Sequence, residues 1–242
     1  IYLCFSGNIK NYLKLKKDLK EKGVSFSNRA GDDLEIEVIA NLISQGKDVV
    51  DGIKKMTKKI EGTYILLVLT EEEIFAARSP DGHWPLILGK KEGEITIATS
   101  SAGFSNLGFK IERTLQPGEI ISIKDGQLSR KEIIPTKRIQ LCSFLSVYTD
   151  YPSGTFQGTP ISLIRKRLGA SLARRDIKKG FIPDIVIPVP DSGRFHTIGY
   201  FNWFCSQINK GIINKIPLYD EILIKWAYAG RSFTPTDGKK RQ

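Results

Sequence analysis

The stretch Asp184-Ile185-Val186-Ile187-Pro188-Val189-Pro190-Asp191-Ser192-Gly193 decides how the back of this 242-residue chain folds. Its apolar first part reads as a strand, and the Pro-Asp-Ser-Gly that follows is a run of turn formers that ends it. Working outward, the residues from about Ile161 to Lys178 read as a helix before this strand, a second helix follows Gly193, and Ile222-Leu223-Ile224-Lys225 reads as the next strand. Strands alternating with helices predict a parallel sheet. Ligands of such sheets gather outside the carboxyl ends of the strands, where Asp191, Ser192 and Gly193 stand.

The front of the chain is organised differently. Ile1 to Phe5 reads as a short buried strand closed by the turn residues Ser6-Gly7-Asn8. A helical pattern follows to Lys22, with Tyr12, Leu15 and Leu19 on one face and Gly23 at the C-cap. Leu34, Val38, Ile39 and Leu42 mark a second helix over 33–45, and a third is expected from Val49 to Lys59. Thr63 to Leu69 and Ile74 to Arg78 then read as strands joined by the acidic turn Glu71 to Glu73. Leu86 to Gly89, Glu94 to Ala98 and Glu119 to Ile123 read as further strands, separated by turns that include Gln116-Pro117-Gly118 and Asp125-Gly126. Helices followed by an antiparallel meander predict a layered α+β domain. A proline-marked join at Pro135 gives expected domains of 1–135 and 136–242.

Composition narrows the function classes. Hydrophobic residues make up 40% of the chain, which is enough for a real core. No apolar run approaches the roughly 20 residues a membrane span needs, and the basic N-terminal stretch is too interrupted by charge for a signal peptide. Cys4, Cys142 and Cys205 lie far apart, without paired metal spacing, and their odd number argues against a disulfide framework, so a reducing cytoplasm is the expected home. The formal charge of +11 is unevenly placed. Residues 1–135 hold 20 Lys and Arg against 19 Asp and Glu, whereas residues 136–242 hold 17 against 7. The back half therefore calls for an anion: a local polyphosphate, a nucleic acid or plain solvation.

Motifs along both halves resemble one enzyme family. Phe5-Ser6-Gly7-Asn8-Ile9-Lys10-Asn11-Tyr12 is similar to the His-Asn-Gly-Asn-Leu-x-Asn segment of class II glutamine amidotransferases, whose Asn-Gly pair forms the oxyanion hole. Ser6 stands where that asparagine belongs, and Gly7 keeps the backbone donor. Asp32-Asp33-Leu34-Glu35 resembles the Ser-Asp-Thr-Glu motif, which implies Asp33 as the residue for the α-amino group of glutamine, while acidic residues just before a helix are also ordinary N-terminal caps. Glu61-Gly62-Thr63-Tyr64 looks like Glu-Gly-Ala-Tyr, and Ala77-Arg78-Ser79-Pro80-Asp81-Gly82-His83-Trp84-Pro85-Leu86 looks like Ala-Arg-Asp-Pro-x-Gly-x-Arg-Pro-Leu. Ser79 replaces the aspartate there, Trp84 replaces the arginine, and Ser101 sits where an acid follows serine. Gln116-Pro117-Gly118-Glu119 matches Glu-Pro-Gly-Glu.

The back half continues the resemblance, now to the transferase part of the amidophosphoribosyltransferases. Cys142-Ser143-Phe144-Leu145-Ser146-Val147-Tyr148 is similar to Cys-x-Phe-Glu-x-Val-Tyr, where the cysteine ligates an iron–sulfur cluster in one branch. Ile164-Arg165-Lys166-Arg167-Leu168-Gly169 parallels Val-Arg-Lys-Arg-Leu-Gly. The stretch 184–193 is nearly identical to Asp-Val-Val-x-Pro-Val-Pro-Asp-Ser-Gly. Its physical use is a small-residue turn offering backbone N–H groups to a diphosphate, with Ser192 contributing an oxygen toward Mg²⁺. Leu223-Ile224-Lys225-Trp226-Ala227-Tyr228-Ala229-Gly230-Arg231-Ser232-Phe233-Thr234 resembles the loop that closes over phosphoribosylpyrophosphate, keeping Lys225, Tyr228 and Arg231.

The resemblance implies an N-terminal-nucleophile glutaminase domain followed by a type I phosphoribosyltransferase domain. Glutamine would be hydrolysed in the first, and its ammonia transferred to phosphoribosylpyrophosphate in the second, with phosphoribosylamine as product. It implies Mg²⁺, a 4Fe–4S cluster in one branch of the family, and a homo-oligomer. The family's nucleophile is an N-terminal cysteine with its own α-amine as base, whereas this chain starts at Ile1 and Cys4 is internal. The family's ribose-phosphate fingerprint would follow Gln242. The expectation is a chain incomplete at both ends and inactive alone. Two rivals stand beside it: a degenerate homologue kept as a phosphate-binding or scaffold protein, and a basic nucleic-acid binder whose affinity falls with salt.

Overall fold

The computed structural model describes residues 1–27, 35–136 and 138–226. The chain divides into two compact units, Ile1–Ser143 and Phe144–Gln242. The division falls after Ser143 rather than at Pro135. Residues beyond that proline are still bonded into the front unit, Gln140 N to Asp81 O at 2.7 Å and Cys142 N to His83 O at 3.3 Å.

In the front unit β1 (Tyr2–Ile9) leads to helices α1 (Tyr12–Glu21), α2 (Glu35–Ile43) and α3 (Val49–Lys59). The strands β2 (Gly62–Leu69), β3 (Ile74–Arg78), β4 (Ile87–Lys91), β5 (Glu94–Ala98), β6 (Lys110–Thr114), β7 (Glu119–Lys124) and β8 (Gln127–Ile133) follow. They form an antiparallel five-stranded sheet ordered β1-β2-β3-β7-β8 and a three-stranded sheet ordered β5-β4-β6. Strand alternation separates two cores. Tyr64, Leu66, Ala77 and Ile120 face the helices and pack with Leu15, Val38, Ile39, Ile53 and Met56. Ile65, Ala76 and Ile121 face the other way and pack with Leu86, Leu88 and Leu115 of the smaller sheet. Each such fully buried aliphatic side chain contributes about 1.5–3 kcal/mol. The α3 helix starts where Asp48 accepts the Asp51 N–H at 2.7 Å, an ordinary N-cap.

Three further sequence expectations are corrected. Ser6-Gly7-Asn8 is not a turn, because β1 runs on to Ile9 and pairs Ser6, Gly7 and Asn8 with Ile65, Tyr64 and Thr63. The glycine is there for close approach: a Cβ on Gly7 would lie 2.2 Å from Thr63 O. The strands β6 and β8 were not expected, since Lys-Ile-Glu-Arg-Thr and Gln-Leu-Ser-Arg-Lys-Glu-Ile are charged edge sequences with little apolar alternation. The third correction lies in the back unit.

That unit opens with a π-helical turn, Leu145–Thr149, and a two-residue hairpin of β9 (Thr155–Phe156) and β10 (Thr159–Pro160). There follow α4 (Ile161–Lys178), β11 (Ile185–Val186), α5 (Arg194–Asn209) and β12 (Leu218–Tyr219). The two strands are parallel, with Ile185 opposite Leu218 and Val186 opposite Tyr219. The next strand is therefore Leu218–Tyr219 and not 222–225. Leu218 N bonds Asp184 O at 2.8 Å directly after Pro217, and the apolar run beyond is left exposed, Ile224 to 91%. Helices α4 and α5 cross in close contact through two glycines. A Cβ on Gly169 would lie 1.8 Å from His196 O, and one on Gly199 would lie 2.0 Å from Lys166 O. Arg174 stacks 4.5 Å over the Trp203 ring, and Tyr200 donates to Asp176 at 2.9 Å across the same contact.

Candidate functional site

The turn after β11 is held by bonds that run inward. The Pro190–Asp191 peptide is cis. Gly193 N donates to Val189 O at 2.9 Å, and Arg194 N reaches Asp191 O at 3.5 Å. Position 193 has no room for a side chain, because a Cβ there would lie 2.5 Å from Val189 O. Both the Thr197 amide and its hydroxyl reach Gly193 O at 3.0 Å, and the His196 imidazole reaches Ser192 O through Nδ1 at 3.1 Å. The amides of Asp191 and Ser192 carry no hydrogen bond among the described residues. They stand at the N-terminus of the 16-residue α5, where the helix dipole favours an anion.

Charged groups complete the arrangement. The Lys225 Nζ lies 3.4 Å from Asp191 Oδ2, and both side chains are largely in water. Arg194 is paired with Glu221 at 3.2 Å. Burial pushes the His196 imidazole below its ordinary value, with the Ser192 bond opposing and the Arg165 charge adding to that shift. Arg165 is 1% exposed and donates to Ser146 O at 3.0 Å and Asp150 O at 2.7 Å, tying α4 to the π-helical turn. The structure thus brings together Asp191, Ser192, Gly193 and Lys225; Tyr228 and Arg231 lie outside the described residues.

In the front unit Cys4 and Ser6 project from β1 on the face opposite the helices. With Ile65, Leu67, Leu86, Ile97 and Thr99 they line a cavity of about 300 Å³ between the two sheets. The lining is mainly apolar. Gly7, adjacent to Ser6, faces the helices instead, and Asp33 lies outside the described residues. His83 is held by its Nδ1 contact with Gln140 O at 3.2 Å. Ser79 is fully buried and exchanges a bond with Thr63 at 2.9 Å, while both hydroxyls turn to the Asp81 carboxylate. Ser79, which stands where the similar motif carries an aspartate, is here part of a hydrogen-bonded cluster with Thr63 and Asp81. Cys142 is half-buried, and no group of three or more His, Cys, Asp or Glu among the described residues is placed to hold a metal ion.

Arg165 and His196 were not singled out by sequence reasoning. A signal for the first existed: Ile161, Arg165, Gly169 and Ala173 recur every four residues and are the buried stripe of α4. Nothing comparable marks His196, whose partner Ser192 lies outside the helix.

Comparison with known proteins first shows the class that the front of the chain is similar to. Residues 1–105 match the family described as a glutamine amidotransferase domain. Over its whole length the chain is similar to curated amidophosphoribosyltransferases. It is 28% identical to that of Methanocaldococcus jannaschii, covering 100% of this chain and 52% of the relative, and 29% identical to that of Bacillus subtilis, covering 96% and 45%. Among solved structures, a glutamine phosphoribosylpyrophosphate amidotransferase from B. subtilis, complexed with ADP and GMP, superposes with a TM-score of 0.79 at 30% identity, over 99% of this chain and 49% of that one. The chain spans about half the length of the curated relatives it matches.

Proposed function

We propose that this chain carries parts of both half-sites of an amidophosphoribosyltransferase. On this reading the front unit is a class II glutaminase domain of the N-terminal-nucleophile type, and the back unit is the front of a type I phosphoribosyltransferase domain. Glutamine supplies ammonia, which displaces diphosphate from C1 of phosphoribosylpyrophosphate to give phosphoribosylamine, the first step of purine synthesis. The observation that carries the reading is the turn at 190–193: two amides at a helix N-terminus with no hydrogen bond among the described residues, and Lys225 3.4 Å from the adjoining carboxylate.

The amides of Asp191 and Ser192 donate to the diphosphate oxygens, and Lys225 exchanges its Asp191 partner for a phosphate oxygen. Both contacts strengthen as negative charge collects on the departing diphosphate. Tyr228 and Arg231 belong to the same closing loop on this reading. In the front unit Gly7 and Ser6 hold the oxyanion-hole position and Asp33 the glutamine ammonium. Cys4 sits within a strand, without the α-amine that serves as base in the family, so glutamine hydrolysis is not assigned to this chain alone.

Mg²⁺ fits as a companion of the diphosphate. Asp191 and Ser192 offer hard oxygen donors, and this ion commonly takes one or two protein oxygens together with substrate phosphates. When bound it would neutralise charge on the diphosphate. A 4Fe–4S cluster does not fit the donors present: Cys142 has no neighbouring thiolates among the described residues, and the chain's other cysteines, Cys4 and Cys205, lie on β1 and α5. A homo-oligomer is proposed on family resemblance.

Calorimetric titration with phosphoribosylpyrophosphate and Mg²⁺, with pyrophosphate and short DNA as controls, tests the reading. Selective binding of phosphoribosylpyrophosphate is expected. Equal weak binding of every polyanion, or none, would favour the degenerate homologue.

A further inference from the structure

The peptide unit between Ser192 and Gly193 is held at both of its polar atoms. Its N–H is bonded to Val189 O at 2.9 Å, and its carbonyl receives the imidazole of His196 at 3.1 Å. The second bond is made by a side chain, because the first backbone bond of the helix, Thr197 N to Gly193 O, begins one residue later. His196 is itself fixed, since its backbone carbonyl sits against Gly169 of α4, where no side chain would fit. A carbonyl can only accept, so Nδ1 carries the proton. From these contacts we propose that His196 is a positioning residue for the anion-binding turn: its Nδ1–H locks the Ser192–Gly193 peptide and thereby aims the preceding amides and the Ser192 hydroxyl at the ligand.

The proposal rests on reading the turn as a diphosphate site, but it makes a separate structural claim. Asparagine at 196 offers an amide N–H at the place of Nδ1, whereas leucine fills similar space without a donor. Loss of one hydrogen bond that orders a site is worth about tenfold in affinity. Titration with inorganic pyrophosphate and Mg²⁺ should show His196→Asn binding like the parent protein and His196→Leu about tenfold weaker, with unchanged circular dichroism and thermal midpoint. Equal affinities for all three would overturn the positioning role.

Failure of the parent protein to bind pyrophosphate would count against the functional reading instead. Amide exchange at Gly193 then decides the positioning role on its own. Acceleration of about tenfold in His196→Leu, absent in His196→Asn, supports it, and equal exchange in the three proteins sinks it. Should His196→Leu fail to fold, His196→Ala carries the same comparison.

Discussion

At the scale of single residues, Glu119 shows how much a buried charge depends on its partners. Its side chain is 0% exposed, with Arg113 bound through two bonds of 2.7 Å, Arg130 at 3.1 Å and the Gln116 amide at 2.7 Å. Burial alone would raise this carboxyl, but Arg113, the Gln116 N–H and Arg130 together outweigh it and hold it below the usual carboxylate range. A carboxyl that titrates lower in the folded state than in the unfolded one stabilises fully above the unfolded pKa of about 4.3 and loses that contribution as pH falls through the folded value. Glu119→Gln should cost about 2 kcal/mol in urea unfolding at pH 7, less than the most buried pairs because both arginines are partly in water. It should also flatten the acid limb of stability against pH; an acid limb as steep as the parent's would show that Glu119 does not set it. Residues of this kind were hard to read from the sequence. Gln116-Pro117-Gly118-Glu119 was recognisable as a motif, yet the partners that explain Glu119, Arg165 and His196 are fixed only by the fold. Asp191 and Ser192 stand in a run of turn formers visible in the local sequence, whereas Lys225 was picked out by resemblance alone and its 3.4 Å approach to Asp191 is set by the fold.

At the scale of elements, the α4–α5 pair is the firmest part of the back unit, and its closeness comes from absent side chains. Gly169→Ala would place a methyl against the backbone at His196 O, which cannot rotate away, so the helices must part. The expected cost is about 3 kcal/mol, the upper end for overpacking, read as a lowered unfolding midpoint through fluorescence of Trp203, whose ring lies under Arg174. An unchanged midpoint would mean that the crossing adjusts freely. Helices α3 and α4 and strands β3 and β5 were placed correctly from sequence because each has strong local periodicity or clear turns at its ends. The misreadings share a different cause. β6 and β8 are edge strands with water on one side, β12 is two residues long, and Ser6-Gly7-Asn8 has turn composition but a strand partner. Pairing partners decide such segments, and a partner is not visible within a window of local sequence.

At the scale of the whole molecule, the charge imbalance and the division into two units tell related stories. The near-neutral front half forms the layered unit with two cores, while the basic back half holds the turn and Lys225. No described helix is long and apolar enough to cross a membrane. One feature of the front unit bears on how the protein behaves in a tube. β1 is the terminal strand of its sheet, with Tyr2 76% exposed, so apart from the Ile9 N–H, which lies 3.3 Å from the Glu35 carboxylate, the outward peptide groups of β1 have no strand partner among the described residues. At neutral pH the formal +11 charge keeps copies apart, but the sequence pI is about 9.5, and mutual repulsion vanishes as that value is approached. Light scattering at fixed concentration should therefore climb between pH 7 and pH 9.5, and Tyr2→Lys, which puts a cation on the open strand, should delay the rise. Colloidal shelf life would then be governed by one strand of the front half, whereas the excess of positive charge that protects it lies mostly in residues 136–242.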